Sequence, residues 1–185
     1  MVDRRSRRSQ RLIKEAFYRL IVQKPLFRLT VAEITQEADL ERGTFYGHYH
    51  DVFDLYDQEL AAHVDTLLAL FKRHYLTAFD KHDFVPLFSS IINYLTTNQE
   101  LQALMHEAYN QSRALAEITH AFQTTVTLSE VAVFGGQNDL ATQLEINYNL
   151  AGVLTILTDW QKGNINASVT ELTTSPAAIA RHHWQ

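Results

Sequence analysis

Apolar residues at Leu12, Ile13, Ala16, Phe17, Leu20 and Ile21 recur in the i, i+1, i+4, i+5 rhythm of an amphipathic helix that begins near Ser9. Pro25 ends it. Thr30 and Glu33, three apart, then form a capping-box signature, with Leu29 and Ile34 in the staple positions, and predict a short helix over 31–38. Asp39-Leu40-Glu41 is a polar break. A second short helix is predicted over 42–49, where Phe45 and Tyr49 lie four apart on one face. Asp51 and Asp54 mark another capped start, and Leu55, Leu60, Val64, Leu67 and Phe71 carry a helix to about residue 79. At 1.5 Å per residue such an element spans about 42 Å. Further helices are expected over 84–97, 99–108, 112–134, 139–162 and 168–182, punctuated by Asn98, Gly135-Gly136 and Gly163-Asn164. The β-branched run over 124–134 also reads locally as a strand, but its alternation breaks at Ser129-Glu130, so it is assigned to helix. The expectation is an all-α chain with an N-terminal three-helix domain over 1–50 and a C-terminal helical domain over 51–185.

Composition removes whole classes. The 185 residues are 46% hydrophobic and 20% charged, with no cysteine, which excludes disulfides and thiolate metal sites. The apolar stretch over 150–157 is broken by Gly152 and Thr155 and falls short of the roughly 20 residues of a membrane span. A protein of the reducing cytoplasm, with no membrane partner, is expected.

The net charge of −5 conceals a polarity. Residues 1–50 carry ten Lys and Arg against six Asp and Glu, whereas residues 51–185 carry six against fifteen. Arg4, Arg5, Arg7, Arg8, Arg11, Lys14, Arg19, Lys24 and Arg28 crowd the start, so a basic head precedes an acidic body. That asymmetry points to a polyanionic partner for the head. A solvated basic helix is the plainer reading, and an Arg- and Ser-rich amphipathic start also describes a mitochondrial presequence. Against the latter, the basic stretch runs unbroken into the helical pattern.

A capped short helix, a tight turn and a second short helix after a basic helix make a helix-turn-helix DNA reader. With Phe45 and Tyr49 facing a core, Arg42, Gly43, Thr44, Tyr46 and Gly47 face outward. Arg42 suits bidentate donation to guanine O6 and N7, Thr44 suits a thymine methyl or a polar base edge, and Tyr46 and His48 suit phosphates. The two glycines cost on the order of 1 kcal/mol each in a helix, a cost that close approach to another surface explains. They equally mark an irregular loop.

The run Arg42-Gly43-Thr44-Phe45-Tyr46-Gly47-His48-Tyr49, preceded by Thr30-Val31-Ala32-Glu33-Ile34 and Ala38, resembles the signature of the TetR/AcrR family of bacterial transcriptional regulators. The stretch over 84–105, the segment from Gly152 through Trp160-Gln161-Lys162-Gly163, and the Leu172 segment look like the dihydroxyacetone-kinase regulator subgroup. The resemblance implies a homodimer that binds a palindromic double-stranded DNA operator, in most cases as a repressor, and senses a small-molecule effector. It places Arg42, Gly43 and Thr44 against bases and Thr30, Tyr46 and His48 against phosphates. Arg4 and Arg5, with Arg7 and Arg8, would track the backbone or minor groove. Three residues depart from the pattern: Asp39 for a turn glycine, Glu41 for a serine cap, and Val52 for a phosphate-binding lysine. Some members of the subgroup are effector-binding partners or coactivators with little DNA binding of their own, and that alternative stays open.

Tyr94, Met105, Tyr109 and Tyr148, with His106 and Trp160, are candidates for lining an effector cavity, core packing being the plainer account. Leu144, Tyr148, Ala151 and Thr155 form a stripe that suits packing against a second subunit. None of the nine histidines falls in a metal-binding spacing; His48 and His50 point apart, and His182-His183 sits at the terminus. No phosphate loop and no nucleophile elbow occur. Neither a cofactor nor catalysis is expected.

Overall fold

The computed structural model describes residues 4–106, 108–134 and 140–183. Among them the regular structure is helical throughout: α1 (Arg4–Ile21), a 3₁₀ turn (Leu26–Arg28), α2 (Val31–Glu37), α3 (Arg42–Tyr46), α4 (Val52–Lys81), α5 (Val85–Thr97), α6 (Gln99–Leu104), α7 (Ala108–Phe134), α8 (Leu140–Gln161) and α9 (Val169–His183). The all-α expectation holds, and the β-branched run belongs to α7. The residues that precede it are helical, so propagation costs less than starting an isolated strand.

Several boundaries differ from expectation. α1 begins at Arg4 rather than near Ser9, because the arginine run contains nothing that breaks a helix. α3 stops at Tyr46, where Gly47 caps it, yet the amides of His48 and Tyr49 both bond back to the Phe45 carbonyl at 2.9 Å. That extra turn keeps Tyr49 beneath Phe45, their ring centres 5.6 Å apart. α6 ends at Leu104, and α7 starts at Ala108 rather than 112.

The chain divides into two compact units, Met1–His63 with Asn98–Ala114, and Val64–Thr97 with Leu115–Gln185. α4 and α7 each begin in the first and end in the second. In the first unit, Ile13, Ala16, Phe17 and Ile21 of α1 are buried together with Leu26, Ile34, Phe45, Leu55, Tyr56, Leu101 and Leu104. Removing each large side chain of that set from water contributes about 1.5–3 kcal/mol. Buried Tyr56 also donates its hydroxyl to the carbonyls of Leu104 (3.3 Å) and Asn110 (3.1 Å), stitching α4 to α6 and α7. In the second unit α5 packs on α9, and Leu87, Ile92 and Leu95 of the one and Leu172 and Ala177 of the other are buried. Phe71 of α4 packs edge-on to Phe122 of α7 at 5.5 Å.

Candidate nucleic-acid interface

The interface is built from the turn between α2 and α3. Thr30 caps α2: its Oγ1 accepts from the Glu33 amide at 3.3 Å, while Glu33 Oε2 accepts from the Thr30 amide at 3.0 Å. Lys24 binds the other carboxylate oxygen. Those contacts, Lys24 first and the Thr30 hydroxyl next, hold the Glu33 carboxyl down to about 2. At the far end of α2, Asp39 takes φ 55°, the left-handed conformation that lets the Leu40 amide reach the Thr35 carbonyl at 2.9 Å. A turn glycine would adopt that conformation freely; aspartate is one of the few other residues that tolerates it.

α3 then presents two faces. Phe45 and Tyr49 are buried against the head's core, while Arg42, Gly43, Tyr46 and Gly47 are exposed and Thr44 is half-buried. A Cβ built on Gly43 would meet nothing within 4 Å, so no atom of the chain itself demands glycine there.

His48, expected beside a phosphate, is half-buried and held from behind, its Nε2 lying 2.8 Å from Ser9 Oγ. Ser9 gives its proton to the Ser6 carbonyl at 2.9 Å, so His48 donates through Nε2. Gln10, the next residue of α1, donates to the Tyr49 hydroxyl at 3.3 Å. Two polar side chains of α1 thus set the angle at which the α3 turn leaves the core. Thr30 is exposed, and its single proton goes to Glu33 Oε2 at 2.7 Å. A phosphate at Thr30 has to win that hydroxyl from the cap.

Ion pairs sort the basic residues. Arg11 is paired with Glu15, Arg19 with Glu37, Lys14 with Glu59 and Lys24 with Glu33. Arg4, Arg8 and Arg42 are exposed and have no acid partner among the described residues; Arg5 and Arg7 are exposed as well. α1 carries no acidic residue in its first turn. Four arginines at the positive end of a helix dipole are disfavoured by their own backbone, and an approaching anion relieves that repulsion.

The three departures from the family pattern have structural counterparts. Val52 is a buried first residue of α4, and no donor projects there. Glu41 is exposed at the start of α3 and makes no side-chain cap bond, so its carboxylate is uncommitted by capping. Asp39 is exposed one turn earlier.

The remaining candidates are dispersed. Tyr94 is half-buried on α5, Met105 is buried after α6, Tyr148 is 74% exposed on α8, and the Tyr109 side chain lies outside the described residues. Trp160 donates through Nε1 to the Ala167 carbonyl at 2.7 Å, closing the turn between α8 and α9. A groove of about 260 Å³ in the second unit is lined by Thr119, Ala151, Thr155, Thr158 and Asp159, residues that pattern reading did not single out as ligand contacts. Leu140 (71% exposed) and Leu144 (59%) precede Tyr148 at four-residue steps, and Ala151 and Thr155 are exposed too, so the stripe on α8 lies open in the single chain. The side chains of His182 and His183 lie outside the described residues. Among the described residues no three His, Asp or Glu side chains converge to hold a metal, and no helix is long and apolar enough to cross a membrane.

Sequence reading missed Ser9 and the partners of Lys14. A serine on the apolar face of α1, four residues before Ile13, is the only trace the first leaves in the sequence. The second joins residues more than 40 positions apart and leaves none.

This architecture is the fold of the TetR/AcrR-type transcriptional regulators. It matches a TetR-family regulator described from Syntrophomonas wolfei with a TM-score of 0.72 at 13% identity, covering 95% of this chain and 94% of that one. A TetR/AcrR-family regulator from Aquifex aeolicus matches at 0.62 and 14% identity, over 95% of this chain and 99% of the other. The dihydroxyacetone kinase operon activator DhaS matches at 0.63 and 16%, over 95% of each chain. No family model and no curated protein matches the chain in sequence.

Proposed function

We propose that the chain is a non-enzymatic transcriptional regulator that binds double-stranded DNA through α3, acts as a homodimer and is modulated by a small-molecule effector. One observation carries the reading: a five-residue helix anchored by Phe45 and Tyr49 turns Arg42, Gly43 and Tyr46 to solvent, with Arg42 unpaired by any described acid. The fold shared with known regulators of this type supports it. In a palindromic operator the two copies of α3 enter successive major grooves about 34 Å apart. Arg42 reads guanine there, Thr44 touches a neighbouring base, and Tyr46 and His48 bind phosphate, His48 with Ser9 fixing its ring. Arg4 and Arg5 add contacts to the flanking backbone. An effector bound by the second unit shifts operator affinity by its differential affinity for two head spacings.

Selection of bound duplexes from random sequence, followed by mobility-shift titration, tests this. Inverted half-sites about ten base pairs apart are expected. Arg42→Ala should then relax discrimination at one guanine position by about 1–3 kcal/mol; unchanged selectivity overturns the assignment of α3.

A second reading is favoured by the buried Val52 and the uncommitted Glu41 carboxylate, which remove a donor and add a like charge where a phosphate would lie. In it the chain keeps the fold as an effector-binding partner of another regulator. No shift of any duplex pool at low salt would select it.

A further inference from the structure

α1 packs on α3, and at their junction Ser9, buried on α1, meets the half-buried ring of His48. A serine hydroxyl has a single proton. Ser9 gives it to the Ser6 carbonyl at 2.9 Å, the back-bonding that helical serines favour. What its Oγ keeps for His48 Nε2, 2.8 Å away, is a lone pair. Nε2 therefore carries the hydrogen, and Nδ1 of the neutral imidazole carries none. Among the described residues the bond to Ser9 is the only hydrogen bond of the ring.

A phosphodiester oxygen only accepts. With Nε2 committed to Ser9, the ring can donate to phosphate only through Nδ1, and only after taking a proton from solvent. The imidazolium keeps its bond to Ser9, gains an Nδ1–H and brings a positive charge to an anion. Groups of both signs flank it. On its own turn Tyr49 lies with its ring centre 6.1 Å away and its hydroxyl accepting from Gln10, while Glu41 and Arg42 begin α3. Arg5 and Arg8 stand on α1, one turn before Ser9 and next to it. On α2, which also packs on α3, Glu33 and Glu37 are paired with Lys24 and Arg19. At the start of α4, Asp51 and Asp54 accept from the backbone amides of Asp54 and His50, and His50 is exposed. All of these act on the ring in the free chain as well; the phosphate is the charge that binding adds.

We propose that Ser9 is a positioning residue for DNA binding: by holding the Nε2 hydrogen it makes the phosphate contact of His48 depend on uptake of a proton. This role rests on the DNA binding proposed above. The ring holds its proton more tightly beside a phosphate than in the free chain, so acid favours the complex. Affinity rises as pH falls, by up to about tenfold per pH unit for each protomer engaged.

Titration calorimetry of the full chain with a duplex selected from random sequence, in buffers of differing ionisation enthalpy, reads the proton uptake. Net uptake is expected, and affinity at constant salt should fall as pH is raised from about 6.5 to about 8.5. His48→Asn places an amide N–H where Nδ1 stands and takes up no proton, so its affinity should lose that dependence. Ser9→Ala frees Nε2, lets the neutral ring carry its hydrogen on Nδ1, and should flatten the profile too; a merely structural serine would lower affinity at every pH and leave the slope. Nitrogen chemical shifts of the free chain should show neutral His48 with its hydrogen on Nε2. Hydrogen on Nδ1, binding without proton uptake, or an unchanged slope in either variant overturns the proposal and leaves the DNA reading standing. Should a variant not fold, calorimetry and ring NMR of the unaltered chain decide. Should no duplex bind at any pH, the DNA reading falls and sulfate, an anion that does not titrate in this range, serves as the probe. It should raise the midpoint of the His48 NMR titration more in the unaltered chain than in Ser9→Ala, and an equal or absent shift overturns the positioning role.

Discussion

At Asp39 the backbone holds φ 55°, where the Cβ of an L-residue crowds its own peptide units, while the exposed carboxylate stands one turn before the basic face of α3. Glycine removes both penalties. Asp39→Gly should raise stability in urea by about 1 kcal/mol and tighten binding to any duplex at low salt; a destabilised variant would show that the side chain supports the turn. Glu33 makes the opposite case. Its carboxyl is held down to about 2 from 4.5 by Lys24 and Thr30, so its contribution is present above about 4.5 and lost as pH falls through that range toward 2. Melting temperature measured from pH 6 to pH 2 should therefore lose part of its acid slope in Glu33→Gln. Thr30→Ala should cost about 1 kcal/mol at neutral pH, because the Glu33 amide is left without its cap.

For an element as short as α3, tertiary packing rather than helix propensity supplies the order. Phe45, wholly buried beside Tyr49, is its anchor, and Phe45→Ala should cost about 3–5 kcal/mol by chemical denaturation. α1 has two tasks. Its apolar stripe carries the head's core, while its first turn gathers arginines against its own dipole. Replacing Arg4 and Arg8 by Gln should weaken binding to all duplexes alike and reduce the slope of log affinity against log salt by roughly 0.9 for each phosphate no longer neutralised. An unaltered slope would make the arginines a solvated terminus. The capping box and the two-faced α3 were legible because their signals are local: three- and four-residue spacings on one helix. Ser9 to His48 was not, because a 39-residue separation has no sequence period.

In the molecule as a whole, the first compact unit extends to His63 and takes in 98–114, so the head is braced by Tyr56 and by Arg113, whose Nη2 donates to both oxygens of Asp57 at 2.7 Å. The second unit carries the α8 stripe. Leu140, Leu144 and Tyr148 expose apolar surface at helical spacing, the surface on which the proposed homodimer would pack. Leu144→Glu combined with Tyr148→Glu should convert a dimer into a monomer in sedimentation velocity while leaving the helical circular dichroism unchanged. A monomeric unaltered chain would show that the stripe does not pair with a second copy.

The sequence by itself determined the all-helical class, the capped α2, the two faces of α3 and the basic head, because each follows from residue spacing along one element or from charge counted along the chain. Only the tertiary structure decided which basic residues of the head are tied to acids, that Val52 is core, that Ser9 steadies His48, and that half-buried Lys14 of α1 meets buried Glu59 of α4. Those outcomes depend on which faces of distant helices meet, and burial then sets how strongly each charge and hydrogen bond counts.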